Sequence, residues 1–322
     1  MRKIKLFVLA VAALLLASAC GTTETVPLTG RKHKVSSSYS NAQMLSLGSQ
    51  EYTKFMSSAK KSTNSTNTAM VQRVGQRLAN AVTTYLNNNG YASDASSYQW
   101  EFNLVQNSEA NAWCLPGGKI VVYEGLLPYT QNETALAIVL GHEIAHAVAK
   151  HSAEQLTKQN NQSVLTQVIG TAGQVVGGTA GTIVQAGASV AGNYAFPLMN
   201  LKYSRSNETE ADYMGLIFAA MAGYNPEEAV PFWKRMSSGT STSTSDFFSD
   251  HPSDEKRIAA LEKEMPEAKK YYNAAVAAGH AAIKTTTTTK TTTKATTKKA
   301  TTKTTTKTTT KKTTAKKSSA RK

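Results

Sequence analysis

The chain has 322 residues and carries 36 Lys and Arg against 21 Asp and Glu, a formal net charge of +15. Sixteen of those cations lie in residues 1–20 and 284–322, where there is no acid, so residues 21–283 hold 20 cations against 21 acids and give no electrostatic case for nucleic acid. Two cysteines, Cys20 and Cys114, exclude a disulfide scaffold.

The N-terminus reads as an export signal. Arg2, Lys3 and Lys5 precede an apolar run from Leu6 to Leu16, followed by Ala17, Ser18, Ala19 and Cys20. The run is too short to cross a bilayer core of roughly 30 Å. A cysteine directly after small residues resembles the bacterial lipoprotein signal, in which that cysteine is acylated and becomes the mature N-terminus. Leu16 stands one position earlier than the leucine typical of that pattern, and a plain secretory signal is the alternative. Acyl chains on Cys20 would anchor the protein, since each buried CH₂ contributes about 0.8 kcal/mol. Gly21, with no acid nearby, resembles lipoproteins sorted to an outer membrane facing the periplasm. Residues 21–40 then read as a linker and 41–283 as the folded domain.

Asn111 to Val122 reads as a strand region turning through Pro116-Gly117-Gly118, with Lys119 to Tyr123 extended. Cys114 within it is either a redox-sensitive thiol or a small buried apolar residue. His33, between Lys32 and Lys34, and His280 read as solvent-facing.

Asn132 to Lys158 reads as one strongly apolar helix with Asn132 as N-cap and Glu133 in its first turn. It carries His142-Glu143-Ile144-Ala145-His146. Residues four apart share a helix face, so both imidazoles can reach one zinc ion at about 2.0–2.1 Å. Glu143 flanks that position and can carry a proton between water and a leaving amine. A chain of this composition produces that pattern by chance only about 0.005 times. A third ligand is needed. The spacing that would supply a later histidine fails, because Ala149 and Ser152 occupy the required Gly and His positions and His151 is one residue early. A downstream helix containing Ser204 to Tyr213 offers Glu208 as ligand. Asp212, one turn on, is placed to orient an imidazole through its other nitrogen. Glu210 points elsewhere and reads as a solvated helix residue.

Residues 159–201 contain no charge and are rich in Gly, Ala, Val and Thr. Their apolar runs are too short for a membrane span. A helical flap over a cleft, a lipid- or partner-facing surface, and a small-residue packing helix all fit. His251 alone reads as a loop histidine ahead of a helix capped by Ser253, and Arg257 as a surface charge on it. From Lys284 onward the chain is Thr, Lys and Ala, with 20 Thr among 39 residues. Such a segment cannot bury enough apolar surface to order itself. It reads as a disordered tail, either an arm for anionic envelope surfaces or a solvated end.

These landmarks together resemble the zinc endopeptidases of the HtpX, CAAX-prenyl-protease and Oma group, in particular a small bacterial lipoprotein branch. The resemblance runs from about Pro27 to about Met265. It rests on Thr29-Gly30-Arg31, Asn111 to Ile120, His142 to His146, Ser204-Arg205 leading to Glu208-Thr209-Glu210-Ala211-Asp212, Gly223-Tyr224-Asn225-Pro226, and His251-Pro252 with Arg257. It implies that Glu208 is the third ligand of one Zn²⁺ per chain. It also implies that Asn111, Lys119, Ile120 and Val121 border the cleft on a strand whose edge pairs with extended substrate. His251 and Arg257 are implied to lie over the site, His251 stabilising an oxyanion or occupying the open metal position at rest.

The expected fold is therefore α+β, a zincin-like (gluzincin) domain, mainly helical with a small sheet. The expected function is hydrolysis of misfolded or misassembled envelope proteins in quality control. A non-catalytic, chaperone-like lipoprotein using the same cleft is the competing reading.

Overall fold

A computed structural model describes residues 21–175, 198–238 and 255–282. Cys20, the segment 176–197, His251 and the Thr/Lys tail, on which expectations were placed above, lie outside the described residues.

In chain order the elements are β1 (Gly21–Thr25), β2 (Lys32–Ser36), α1 (Asn41–Ser58), α2 (Ser65–Asn88), α3 (Ala92–Ser97), β3 (Glu101–Val105), β4 (Ala112–Leu115) and β5 (Lys119–Tyr123). They continue with α4 (Leu127–Thr130), α5 (Glu133–Val148), α6 (His151–Val175), α7 (Arg205–Met221), α8 (Ala229–Ser238) and α9 (Glu255–Ala277). The expected linker is in fact structured. Strands β1 and β2 pair antiparallel, Gly21 opposite Ser36 and Thr25 opposite Lys32. Val26, Val35 and Tyr39 are buried, and that burial is what holds the segment.

The second sheet has the order β3-β5-β4, with β3 parallel and β4 antiparallel to β5. Strand β5 is therefore central, bonded on both sides, and Lys119, Ile120 and Val121 have no open edge. This corrects the expectation that their strand pairs with substrate. Among the described residues no further strand pairs with the outer edge of β4, whereas β3, the other outer strand, meets Lys61 at Val105. The Tyr123 N–H donates to the Asn111 carbonyl at 3.0 Å, so odd positions of β4 face β5 and the backbone groups of Ala112 and Cys114 face outward. Asn111 uses its side-chain oxygen to cap the Ala112 N–H at 2.8 Å. The hairpin between the strands needs glycine twice, since Gly117 and Gly118 have φ of 90° and 85°.

Helix α5 lies at the centre of the core. Leu136, Val139, Leu140 and Ile144 are fully enclosed, which explains why its sequence is apolar all round. Asn132 caps it as expected, accepting from the Ala135 N–H at 2.9 Å. It does not continue to Lys158. Lys150 adopts a left-handed φ of 56° and the chain starts a second helix at His151. Lys150 is held in that bend by Glu24 at 2.9 Å and Asp94 at 3.2 Å. Helix α7 crosses α5 at two glycines. A Cβ at Gly215 would stand 2.6 Å from the His142 nitrogen, and one at Gly141 would stand 2.6 Å from the Gly215 carbonyl oxygen. Backbone faces backbone there, so any side chain would force the helices apart and separate the groups they carry.

Candidate metal centre

Helix α5 presents His142 and His146 on one face, and α7 presents Glu208 opposite them. Ser204 caps α7 by accepting from the Asn207 N–H and thereby sets where its first turn begins. The two Nε2 atoms are 3.0 Å apart, and the Glu208 carboxylate places Oε2 3.4 Å from that of His142 and Oε1 3.4 Å from that of His146. His142 and His146 are 1% exposed and Glu208 is 6% exposed. Three ligands at zinc-like bond lengths around a tetrahedral centre would be separated by about 3.3 Å, so the spacing suits that coordination.

The outer nitrogens decide which lone pairs face inward. His142 Nδ1 lies 2.9 Å from Asp212 Oδ1, so its N–H donates outward and Nε2 turns its lone pair to the centre. Two imidazole lone pairs and a carboxylate converging in a buried space repel one another unless a cation lies between them. The donor set therefore fits a divalent metal, and two nitrogens with one oxygen fit zinc in an open, catalytic arrangement. Among the described residues these three form a group able to hold a metal ion. Burial by itself lowers the pKa of the His142 imidazolium, but hydrogen bonds to Asp212 and Glu208 outweigh it and push the value up to about 9. The pocket favours positive charge.

Glu143 is buried within α5. It lies close enough to Cys114 on β4 and to Tyr203 that its charge raises the pKa of both, burial being the larger cause in each case. Buried and pushed well above its usual pKa, the Cys114 thiol behaves as a packing residue rather than an exposed nucleophile. Tyr203 stacks on the His146 ring with centroids 4.1 Å apart and bonds Ser152 at 2.9 Å, a contact the sequence reading did not include.

Arg257 is not a surface charge. It is 6% exposed, donates to Asp212 Oδ1 at 2.5 Å, and stacks 3.6 Å over the Trp233 ring. It thus stands behind His142, one group removed from the metal position. Two further readings are corrected. Glu210 is buried, accepting from Thr29 at 2.6 Å and from Arg31 at 2.7 Å and meeting His151 at 3.0 Å. Burial raises its pKa, but those three partners prevail and hold it at about 2. His33 is 7% exposed rather than solvent-facing, and burial lowers its pKa. Its position on β2 turns it beneath the hairpin toward Glu154, 3.6 Å away. His280 is exposed, as expected.

His151 was set aside for standing one residue too early. The bend at Lys150 brings it back, with its Nδ1 2.9 Å from His146 Nδ1. Its only signal in the sequence was a histidine shortly after the second ligand, because the turn that redirects it is a left-handed lysine.

Comparison with known sequences adds to this geometry. The family described as Peptidase family M48 matches residues 65–265. The chain is 36% identical over 182 residues to a mitochondrial metalloendopeptidase OMA1 of Schizosaccharomyces pombe, covering 55% of this chain and 50% of that protein. It is 31% identical over 186 residues to the beta-barrel assembly-enhancing protease of Escherichia coli K12, covering 55% of this chain and 38% of that protein. The chain thus spans about half the length, or less, of the curated relatives it matches. Among the described residues no helix is long and apolar enough to cross a membrane.

Proposed function

From the premise that this chain belongs to peptidase family M48, we propose that it is a zinc-dependent endopeptidase of the bacterial envelope, anchored by lipid at Cys20. The observation that carries the catalytic reading is the buried convergence of His142 Nε2, His146 Nε2 and the Glu208 carboxylate at 3.0–3.4 Å.

These three residues would hold zinc, which would supply Lewis-acid polarisation of a scissile carbonyl and acidify water. Glu143 accepts the proton of the attacking water and returns it to the leaving amine. Asp212, backed by Arg257, keeps His142 in the tautomer whose lone pair is on Nε2, facing the centre. The outward backbone groups of β4 receive an extended peptide as an added strand, which gives affinity with little sequence preference. That preference suits unfolded chains. The likeness to a relative named for enhancing β-barrel assembly supports substrates among misfolded or misassembled envelope proteins. The basic tail reads as an arm for anionic envelope surfaces.

Cleavage of unfolded casein by the full chain should vanish with 1,10-phenanthroline and return on adding Zn²⁺. Cleavage that persists in metal-free protein would refute the assignment. Anchoring is tested separately: cells fed a labelled fatty acid should label the parent, and label retained in Cys20→Ser would exclude that attachment site.

A further inference from the structure

The two histidine ligands are supported in different ways. His142 meets a carboxylate directly, Asp212, with Arg257 behind it. His146 meets another imidazole, His151, which meets Glu210, and Glu210 is gripped by Arg31 and Thr29 of the β1–β2 turn. One helix, α7, carries the carboxylates of both supports as well as the ligand Glu208. We propose that Thr29 and Arg31 are positioning residues for the metal centre: seating of the N-terminal hairpin fixes, through Glu210 and His151, the ring of His146. This inference rests on the metal-centre reading above and adds a residue set to it.

Each link determines the next. The Glu210 carboxylate only accepts hydrogen bonds. It therefore takes the Nε2–H of His151, which leaves the His151 Nδ1 as a lone pair. That lone pair takes the Nδ1–H of His146, which puts the lone pair of His146 on Nε2, the nitrogen that faces the centre. Were Glu210 released, His151 could carry its proton on Nδ1 instead. Two N–H groups would then face each other at 2.9 Å, and the His146 ring would have to move. Arg31 and Thr29 prevent this by holding the Glu210 carboxylate in place through two further bonds, at 2.7 and 2.6 Å. The same guanidinium holds Glu154 on α6 with a second pair of bonds, 2.8 and 3.2 Å, and Asn207 on α7 reaches that carboxylate at 3.0 Å. The hairpin is pinned at two further points, Glu24 to Lys150 at 2.9 Å and the Ser36 N–H to Thr157 at 3.0 Å. One of these holds the bend that aims His151.

The test measures the full-length chain's Zn²⁺ affinity by competition with a chromophoric chelator, and the visible absorption of its Co²⁺ form. The melting temperature of the metal-free protein is followed in parallel. Loss of a group that orients a ligand costs about 10–100-fold in metal affinity. His151→Ala and Glu210→Ala should fall in that range. Arg31→Ala, one step further out, should lose about 3–10-fold by the same reasoning, with an altered Co²⁺ spectrum. Lys269→Ala, which breaks an exposed ion pair with Glu227, should change neither. Because the residues act in series, the double variant Arg31→Ala/His151→Ala should bind zinc no more weakly than His151→Ala alone. If Arg31→Ala lowers the melting temperature but leaves zinc affinity and the Co²⁺ spectrum unchanged, the hairpin is only a structural brace and the inference fails. It also fails if the losses add. Should Arg31→Ala not fold, Thr29→Val removes a single hydroxyl bond and carries the same comparison. A parent chain that binds no zinc would instead overturn the metal-centre reading itself.

Discussion

Glu143→Gln is expected to retain one zinc per chain and to lose about 10²–10⁴-fold in kcat/KM on an unfolded protein substrate, the range a general base contributes. The substitution keeps the shape of a buried side chain in the middle of α5, so the helix and the flanking ligands stay in place. It removes only the ability to take up a proton. The loss should therefore fall on kcat with KM little changed, because the β4 edge that receives the peptide is untouched. Zinc content measured on the same preparation separates this outcome from loss of the metal. A variant that cleaves casein as fast as the parent would remove Glu143 from the chemistry. The chaperone-like alternative would hold if parent and variant alike bound casein without cleaving it, since it needs the cleft but no base. A slow variant that still binds unfolded protein also provides a trap for identifying natural substrates in cells.

The chemistry was legible where it depends on local periodicity. His142 and His146, and likewise Glu208 and Asp212, are four residues apart on helices, and a helix converts that spacing into a shared face whatever surrounds it. What could not be read depends on contacts between distant segments. Glu210 has the sequence context of a surface residue and is buried only because a turn 179 residues earlier delivers Arg31 to it. Arg257 likewise looks like a solvated helix charge until Asp212 and Trp233 meet it. Strand order is another such property. Lys119 to Tyr123 was recognisable as a strand, but its extended pattern does not say whether it is central or at an edge. Its all-buried pattern became interpretable only with β3 and β4 on either side. The single-helix expectation for 132–158 failed at Lys150, whose left-handed conformation is imposed by tertiary ion pairs and not by its own preference. That departure had the largest effect on the site. On an uninterrupted helix His151 would lie well around the axis from His146, whereas the bend brings the two rings edge to face with centroids 4.9 Å apart.

Glu208→Ala should cut zinc content from near one per chain to a small fraction at equal free zinc, and abolish cleavage with it. Glu208 supplies the carboxylate on the α7 side of the centre, Oε2 lying 3.4 Å from His142 Nε2 and Oε1 3.4 Å from His146 Nε2. Without it, two histidines on one helix hold the metal from one side alone. The expected loss of affinity exceeds 100-fold, beyond the range for residues that merely orient a ligand. Asp212→Ala provides the contrast: it should bind about 10–100-fold more weakly yet still fill at saturating zinc, because all three ligands remain. Thermal stability gives a second readout that needs no substrate. A ligand that binds only the folded state stabilises it by about 2.7 kcal/mol when present at 100 times its Kd. The parent should therefore melt at higher temperature with zinc, Asp212→Ala should do so only at higher zinc, and Glu208→Ala should not respond. Unchanged zinc content in Glu208→Ala would remove it from the ligand set. The close α5–α7 crossing at Gly141 and Gly215 would then have to be explained by packing alone, since its consequence for the centre is to bring this carboxylate to the histidines.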